Sequence, residues 1–194
     1  MMNYKQCKDY IRSDYYRITE VRCNSILKLF FLSFLDVGFR YLFWFRLATC
    51  SNFAISLFAR FFYWYLGQRH HIDIPRKTKI GYGFKIMHGG PCVINESAEI
   101  GNNVNMGQFS TIGSLHYNAA KIGDMVYIGP SVCIVEDIMI GNGVTIGAGS
   151  VVVKDAPDGV TIAGNPAKVI SHKEPARFIW RKWNTDWNKC RKSE

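Results

Sequence analysis

A chain of 194 residues is long enough for one solenoid with a modest second element, and it is too short for two large domains. Its hydrophobic content of 48% excludes an intrinsically disordered protein, and its formal net charge of +9 predicts a polyanionic partner. Because no motif that reads nucleic acid is present, the charge favours an acidic membrane face or a phosphorylated cofactor, and no nucleic-acid partner is predicted.

Residues 1–69 are predicted to form an N-terminal α-helical region that is aromatic and basic. The amino terminus lacks the basic-then-apolar order of a signal peptide, and six cysteines without CxxC pairing indicate a reduced, cytoplasmic setting. Charged residues interrupt the apolar run over 25–66, which excludes a membrane-spanning helix. We expect two or three helices there, broken near Gly38 and at Ser51-Asn52, with the last one ending at Gly67.

The aromatic residues of this region support two interpretations. They could pack on each other or on a partner subunit within a small helical domain. They could instead form an element that lies on the inner membrane face, because aromatic rings and arginines on a short amphipathic helix suit a headgroup layer. The predicted localisation is therefore cytoplasmic, with peripheral contact to the inner membrane face as the second interpretation.

A six-residue period organises residues 70–170. Gly commonly follows an aliphatic marker residue, and a small or β-branched residue often stands four positions past it. A helical period or simple alternation does not explain this pattern, whereas a solenoid does: each hexad is one short strand and a corner, with the aliphatic residue inward and Gly adopting the corner dihedrals. Three hexads close one coil of a mainly β, parallel hexapeptide solenoid. The markers are Ile74, Ile80, Ile86, Ile94, Ile100, Met106, Ile112, Ile122, Ile128, Ile134, Ile140, Ile146 and Val152.

Two steps of this period are longer than six residues and predict loops that leave the prism. The step from Ile86 to Ile94 contains His88, and the step from Ile112 to Ile122 contains His116. Solenoid walls rarely need histidine, and insertions are where function collects, so both are candidate functional residues. A zinc site between subunits would need a third histidine at equivalent height, so no metal is predicted.

Asp73 precedes His88 by fifteen residues, three short of a full coil, which is compatible with contact across neighbouring coils. A carboxylate on one imidazole nitrogen fixes the tautomer and supports the imidazolium that forms when the other nitrogen takes a proton. This pair predicts His88 as a general base that activates a hydroxyl, with Asp73 orienting it.

The last 24 residues, 171–194, are predicted to form a basic, Trp-rich C-terminal helix or tail. Trp180, Trp183 and Trp187 recur at spacings of three and four, which places them on one helical face.

A family resemblance rests on HIDIPRKTKIGYGFKIMHGG, the IG-rich hexads, IGAGSVVVKDAPDGVTIAGNPAKVI and the upstream FRYLFWFRLA. These segments resemble the hexapeptide acyltransferase superfamily, and more narrowly the serine-acetyltransferase-like enzymes, especially short bacterial members encoded with surface-polysaccharide synthesis. The resemblance implies a left-handed parallel β-helix, acetyl-CoA as acyl donor, no metal, and homotrimers, or dimers of trimers, with active sites between neighbouring prisms. It implies a catalytic pair at His88 and Asp73. It also implies CoA contacts at Gly129, Ala148, Gly164, Lys154 and Lys168.

The sequence departs from true serine acetyltransferases at the positions that hold the amino acid. Their Asp before the catalytic His is Met87 here, and their Arg-His pair late in the second loop is Asn118 and Ala119. Without those charges, serine is predicted to bind poorly, since selectivity comes from pairing the polar groups of the substrate.

The predicted activity is therefore an O-acetyltransferase that moves acetyl from acetyl-CoA directly to a sugar hydroxyl of a surface-polysaccharide precursor, a small-molecule or lipid-linked acceptor. His116, Tyr117 and Asn118 are the predicted acceptor contacts. Two alternatives stay open: a serine O-acetyltransferase feeding cysteine synthesis, and a non-catalytic trimeric scaffold.

Overall fold

The computed structural model describes residues 2–116 and 118–188, in which a helical region precedes a three-sided parallel β-solenoid. The helices are α1 (Tyr4–Thr19), α2 (Ile26–Leu32), α3 (Val37–Ala48) and α4 (Phe53–His70), and a 3-10 turn (Ser33–Leu35) joins α2 to α3. Each of these α-helices is preceded by a capping residue whose side chain accepts a hydrogen bond from a backbone amide of the first turn. This bond satisfies one of the N–H groups that have no partner within the helix. These caps are Asn3, Ser25, Asp36 and Asn52.

The predicted break near Gly38 occurs two residues before it, whereas the predicted helix end at Gly67 is wrong. The break falls at Asp36, whose carboxylate accepts the amide of Phe39, and Gly38 lies in the first turn of α3. A Cβ on Gly38 would lie 2.4 Å from the carbonyl oxygen of Ile86, so this glycine lets α3 approach the solenoid. Gly67 is likewise inside α4, which continues to His70 and ends with a left-handed residue that is not glycine. Helix α1 lies within the predicted helical region, where the sequence prediction had assigned no individual helix.

The solenoid strands follow the chain coil by coil and pair in parallel with the equivalent strands of neighbouring coils. The first coil adds two residues and the third adds four to the eighteen-residue repeat, as the registers show. The first three coils contain β1 (Ile72–Asp73), β2 (Lys79–Ile80), β3 (Lys85–Ile86), β4 (Cys92–Ile94), β5 (Glu99–Ile100), β6 (Asn105–Met106), β7 (Ser110–Gly113), β8 (Lys121–Ile122) and β9 (Tyr127–Ile128). The remainder contains β10 (Cys133–Val135), β11 (Met139–Ile140), β12 (Thr145–Ile146), β13 (Val151–Val152), β14 (Thr161–Gly164) and an antiparallel β15 (Ala167–Ser171).

The aliphatic markers form the core of the prism. All thirteen are buried, with at most 6% of any of them exposed. The small or β-branched residues four positions later are buried as well, among them Val104, Val126 and Ser150. The hexad phase and the mainly β solenoid are therefore confirmed. The buried side chains stack from coil to coil and form a continuous hydrophobic core.

Most of the glycines that follow the markers are needed for close approach, and none of them adopts the left-handed dihedrals of a corner. A Cβ on Gly107 would lie 2.6 Å from the backbone nitrogen of Pro130 in the next coil, and a Cβ on Gly141 would lie 2.6 Å from that of Asp158. The left-handed residues of the corners stand three positions past the marker and include Phe109 (φ 61°) and Ser131 (φ 57°). The sequence prediction for these glycines was wrong because stacked coils, and not the turns, limit the side chain at that position.

Side chains of the helices cover the first coil. Arg46 forms a buried ion pair with Asp14 at 2.9 Å and donates to the carbonyl oxygens of Ile80 and Gly81, both at 2.8 Å. Asp14 also accepts the amide of Phe84 at 2.9 Å. Burial raises the pKa of Asp14, and its partner Arg46 opposes that shift. The helical region thus supplies hydrogen-bond partners to backbone groups that no further coil would satisfy.

The described part of the C-terminal segment does not form an α-helix. Trp183 is buried, and its ring centroid lies 5.6 Å from that of Tyr16 in α1, while Asn103 accepts its amide. Trp180 is 71% exposed, so it does not share a face with Trp183. Up to residue 188 the predicted helix is replaced by an irregular segment of turns that ends in a 3-10 turn (Thr185–Asn188), because contacts with α1 and the coils override the helical spacing. Residues 189–194 lie outside the described part.

Candidate functional site

The first insertion loop presents His88 to solvent. It forms a 3-10 turn (Met87–Gly89) after β3, and His88 is exposed with a left-handed backbone (φ 60°, ψ 5°). Gly89 is also left-handed, and a Cβ on it would lie 2.5 Å from the Cβ of Val37 at the start of α3. For a residue other than glycine, such as His88, the left-handed conformation costs about 1–3 kcal/mol and persists only where the surrounding structure enforces it. Packing of the loop against α3 provides that enforcement.

Asp73 lies close to this loop in the fold. It is exposed at the end of β1 and pairs in register with Val93 of β4, five residues after His88. Asp73 therefore lies on the strand that neighbours β4, and His88 lies on the loop that leads into β4. Within the single chain over residues 2–116 and 118–188, no hydrogen bond or ion pair joins Asp73 to His88. The catalytic pairing of these two residues stays a prediction.

Cys92, four residues after His88, is the cysteine nearest to it in the chain. Burial, with a smaller contribution from the charge of Asp73, raises the pKa of Cys92 to about 12. The thiol is therefore protonated at neutral pH and is a poor nucleophile. This favours direct transfer to an acceptor over an acyl-cysteine intermediate at this position.

The three small residues assigned to CoA contact occupy successive coils at the corner of the first insertion loop. Gly129 follows β9, Ala148 follows β12 and Gly164 ends β14. The amide of Gly129 donates to the carbonyl oxygen of Ile146 at 3.0 Å, and that of Gly164 donates to Oγ of Ser150 at 3.2 Å. Ala148 is exposed, and its amide has no acceptor among the residues that the structure describes. Of the three, Ala148 offers the free backbone donor.

The two candidate lysines separate. Lys168 lies in β15 opposite Ala163, beside Gly164, and is exposed. Lys154 is also exposed, but it follows β13 and lies at the next corner of the prism. The structure thus brings Lys168, and not Lys154, to the line of small residues.

Glu136 anchors the second insertion loop, and the sequence reasoning missed it. Its carboxylate accepts Oγ of Ser114 at 2.8 Å and the amide of Leu115 at 3.4 Å. The hydrogen bond from Ser114, with a smaller contribution from nearby His116, lowers the pKa of Glu136. Glu136 is 22 residues from Ser114, the length of the lengthened coil, and that spacing was the available signal.

The acceptor candidates lie on this second loop, at the next corner of the three-sided prism. His116 and Asn118 are both exposed, while Tyr117 lies outside the described residues. The strand side that separates the corners, Pro91–Asn95, spans roughly 16 Å at 3.3 Å per residue. One chain therefore does not bring His88 and His116 together. In the ranges 2–116 and 118–188, no group of three or more His, Cys, Asp or Glu side chains is arranged to hold a metal ion.

Comparisons with known proteins agree on one family. Residues 119–154 match the family model described as bacterial transferase hexapeptide (six repeats). A serine acetyltransferase from Bacillus licheniformis is 40% identical over 121 residues, which is 60% of this chain and 53% of that protein. The chain spans only 27% of serine acetyltransferase 3 of Arabidopsis thaliana, so it covers about half or less of these curated relatives.

Solved structures cover more of the fold. A serine acetyltransferase from Neisseria gonorrhoeae in complex with serine has a TM-score of 0.68 and 30% identity, covering 84% of this chain and 69% of that chain. A serine acetyltransferase in complex with CoA has a TM-score of 0.66 and 26% identity, covering 86% of this chain and 68% of that chain.

Proposed function

Because the chain belongs to the hexapeptide-repeat transferases and has serine acetyltransferase relatives, we propose that it is an O-acetyltransferase that uses acetyl-CoA. The observation that carries this proposal is the exposed, left-handed His88, held against α3 at the corner where the small residues of later coils are aligned. A base at this corner would stand where a thioester and a hydroxyl have to meet.

In the proposed reaction, His88 accepts the proton of the acceptor hydroxyl as the oxygen attacks the thioester carbonyl carbon. The carbon–sulfur bond then breaks, and the imidazolium of His88 returns the proton to the departing thiolate, so the products are the acetyl ester and the free thiol. Asp73 would orient the imidazole and stabilise its charged form. A correctly placed general base of this kind contributes about 10²–10⁴ to the rate.

The donor would lie along the corner of Ala148 and Gly164. The exposed amide of Ala148 can donate to a carbonyl or phosphate oxygen, and the ammonium group of Lys168 supplies positive charge beside Gly164. Lys154 lies at another corner, so it is less well placed to contact a donor bound along the corner of Ala148 and Gly164. The complex of a related structure with CoA supports the choice of donor.

Serine is the acceptor that the relatives favour, since their names state it. A second candidate, a neutral hydroxyl such as that of a sugar, is favoured by the loops themselves. Met87 stands next to His88 where the resemblance implies an Asp, and Ala119, where it implies a His, is fully buried. A buried methyl group cannot pair with the charges of an amino acid, whereas a neutral acceptor does not require such pairing.

The test measures thiol release from acetyl-CoA with serine and with a panel of neutral sugars. We expect His88→Ala to lower turnover by about 10² or more, since removing a general base removes transition-state stabilisation. His172→Ala is the matched control, because His172 is an exposed histidine outside both loops. Wild-type turnover in a folded His88→Ala protein would refute the mechanism, and absence of transfer to every acceptor would favour the scaffold.

We further infer a homotrimer in which His88 of one subunit faces His116 of its neighbour, because one chain separates them by a full strand side. Co-expressed His88→Ala and His116→Ala chains test this. Each variant alone has lost one partner, whereas random mixing restores an intact pair in about a quarter of the sites of a cyclic assembly. Recovery to that level supports a shared site. No recovery in mixed assemblies of trimer mass by light scattering would contradict it, and a doubled mass would indicate a dimer of trimers.

A further inference from the structure

Helix α4 leaves most of its apolar residues in solvent in the single chain. It buries only Ser56, Ala59 and Leu66 out of eighteen residues, whereas α3 buries ten of twelve. The preceding α2 and the 3-10 turn add further exposed side chains, of which Leu35 is 83% exposed. We call the resulting surface the aromatic face, defined by Leu27, Phe31, Leu35, Phe58, Phe61 and Trp64, each more than half exposed. A contiguous apolar surface of this kind marks an interaction site.

The aromatic face contains a groove with a cation inside it. The groove has a volume of about 750 Å³ and lies between α2, α3 and α4. Arg40 lines it, with its guanidinium carbon 5.6 Å from the ring centroid of Phe34. Nε of Arg40 and Nε of Arg60 are buried and have no acceptor among the described residues. Both residues are partly exposed, and a guanidinium has further N–H donors besides Nε with which it can pair an oxyanion.

The charge around the aromatic face is one-sided. Residues 25–70 contain five lysines and arginines and one acid, Asp36, which caps α3. One of the cations, Arg46, is neutralised inside the protein by Asp14. A two-fold contact with a second copy would bring the same surface against itself, so the remaining cations would face one another without acids. An anionic partner avoids that repulsion.

We propose that the aromatic face lies on the surface of an anionic lipid membrane. None of the helices in the described ranges 2–116 and 118–188 combines the length and the apolarity that a crossing requires, so α2 and α4 would lie in the plane of the interface. The rings would enter the boundary between headgroups and acyl chains, while Arg40 and Arg60 reach lipid phosphates. This inference does not depend on the acetyltransfer reaction.

The experiment is co-sedimentation of the full chain with phosphatidylcholine vesicles, with and without phosphatidylglycerol, at low and high salt. We expect binding only with phosphatidylglycerol, weakened by salt. Phe61→Ser and Leu35→Ser should each reduce partitioning about tenfold, as burial of one large apolar side chain predicts. Met139→Ser is the matched control, because Met139 is 63% exposed on the solenoid and should not change binding.

Two further variants test the contribution of positive charge. Arg60→Gln should weaken binding about fivefold, the effect of one cation near an anionic surface, whereas Lys182→Gln, at an exposed position on the C-terminal segment, should leave it unchanged.

Failure to sediment with phosphatidylglycerol vesicles at low salt would overturn the proposal, and so would equal losses in Met139→Ser and Phe61→Ser. Light scattering without lipid gives the remaining outcome: if Phe61→Ser and Leu35→Ser lower the mass of the assembly, a second copy covers this face and the membrane proposal is wrong.

Discussion

Replacing Gly107 by alanine tests whether the glycines after the markers serve coil stacking. The new Cβ would lie 2.6 Å from the nitrogen of Pro130 and 2.7 Å from the carbonyl carbon of Gly129, both backbone atoms of the next coil. Since ordinary contacts of a Cβ begin near 3.4 Å, the two coils would have to separate by 3.4 − 2.6 = 0.8 Å. Neither neighbouring atom can rotate away, so the strain must be absorbed by the stack.

The same displacement weakens a hydrogen bond of the ladder. The amide of Gly107 donates to the carbonyl oxygen of Ile128 at 2.8 Å, and a shift of 0.8 Å would stretch this distance to 3.6 Å, beyond a hydrogen bond. Overpacking costs about 1–3 kcal/mol and a lost hydrogen bond about 1 kcal/mol, so we expect a loss of about 2–4 kcal/mol in the free energy of unfolding. For a chain of this length that corresponds to a drop of about 5–15 °C in the melting temperature.

Gly113→Ala is the matched control, because the nearest atom to its Cβ would be Cγ2 of Thr111 at 3.6 Å, an ordinary contact, and its φ is not left-handed. Thermal unfolding of both variants at one protein concentration is the assay. Equal melting temperatures for Gly107→Ala and Gly113→Ala would refute the stacking argument.

Three further predictions follow from the catalytic pair, the core and the first coil. Asp73→Asn should lower turnover less than His88→Ala in the thiol-release assay, since the base remains without its orienting charge; an equal or larger loss would contradict this order. Ile128→Asp should prevent folding, because Ile128 is fully buried in an inward ladder, and a soluble protein with wild-type circular dichroism would show that the ladder tolerates charge. Arg46→Met should cost about 3–5 kcal/mol at neutral pH in denaturant unfolding, because it leaves Asp14 buried and unpaired. Burial already raises the pKa of Asp14, so as pH falls the folded variant binds a proton there before the unfolded chain does; the penalty should shrink towards acid pH, and a constant or growing penalty would contradict this account.

The solenoid could be predicted from sequence because one constraint repeats. A three-sided coil forces every sixth side chain inward, so a marker such as Ile128 or Ile140 reports its burial through its phase alone. The same repetition identified both insertions. What the period could not give is the reason for a residue: Gly107 and Gly38 are small because backbone from another part of the chain approaches them, and that distance is set by tertiary packing.

Other elements failed because their signals were local and the deciding contacts were not. The Trp spacing near Trp183 fits a helix, yet contacts with Tyr16 and Asn103 hold that segment in an irregular conformation. Helix α1 carried a usable signal, the capping box of Asn3 and Gln6, within a polar stretch that has no six-residue period. In the candidate site, the break in the six-residue period predicted that His88 lies on a loop. The role of Glu136 could be predicted only by counting one lengthened coil from Ser114.

The capped first coil also limits how many coils can stack end to end. Each coil offers the next the same row of backbone donors and acceptors, so the repeat has no internal signal for stopping, and an open end is a template for end-to-end polymerisation. The Arg46–Asp14 pair occupies part of that template at one end, and β15 turns antiparallel across the other. A fragment that starts at residue 71 would therefore be expected to grow into fibres by adding coils of neighbouring molecules. In this chain, the helical region covers the first coil and blocks the addition of further coils at that end.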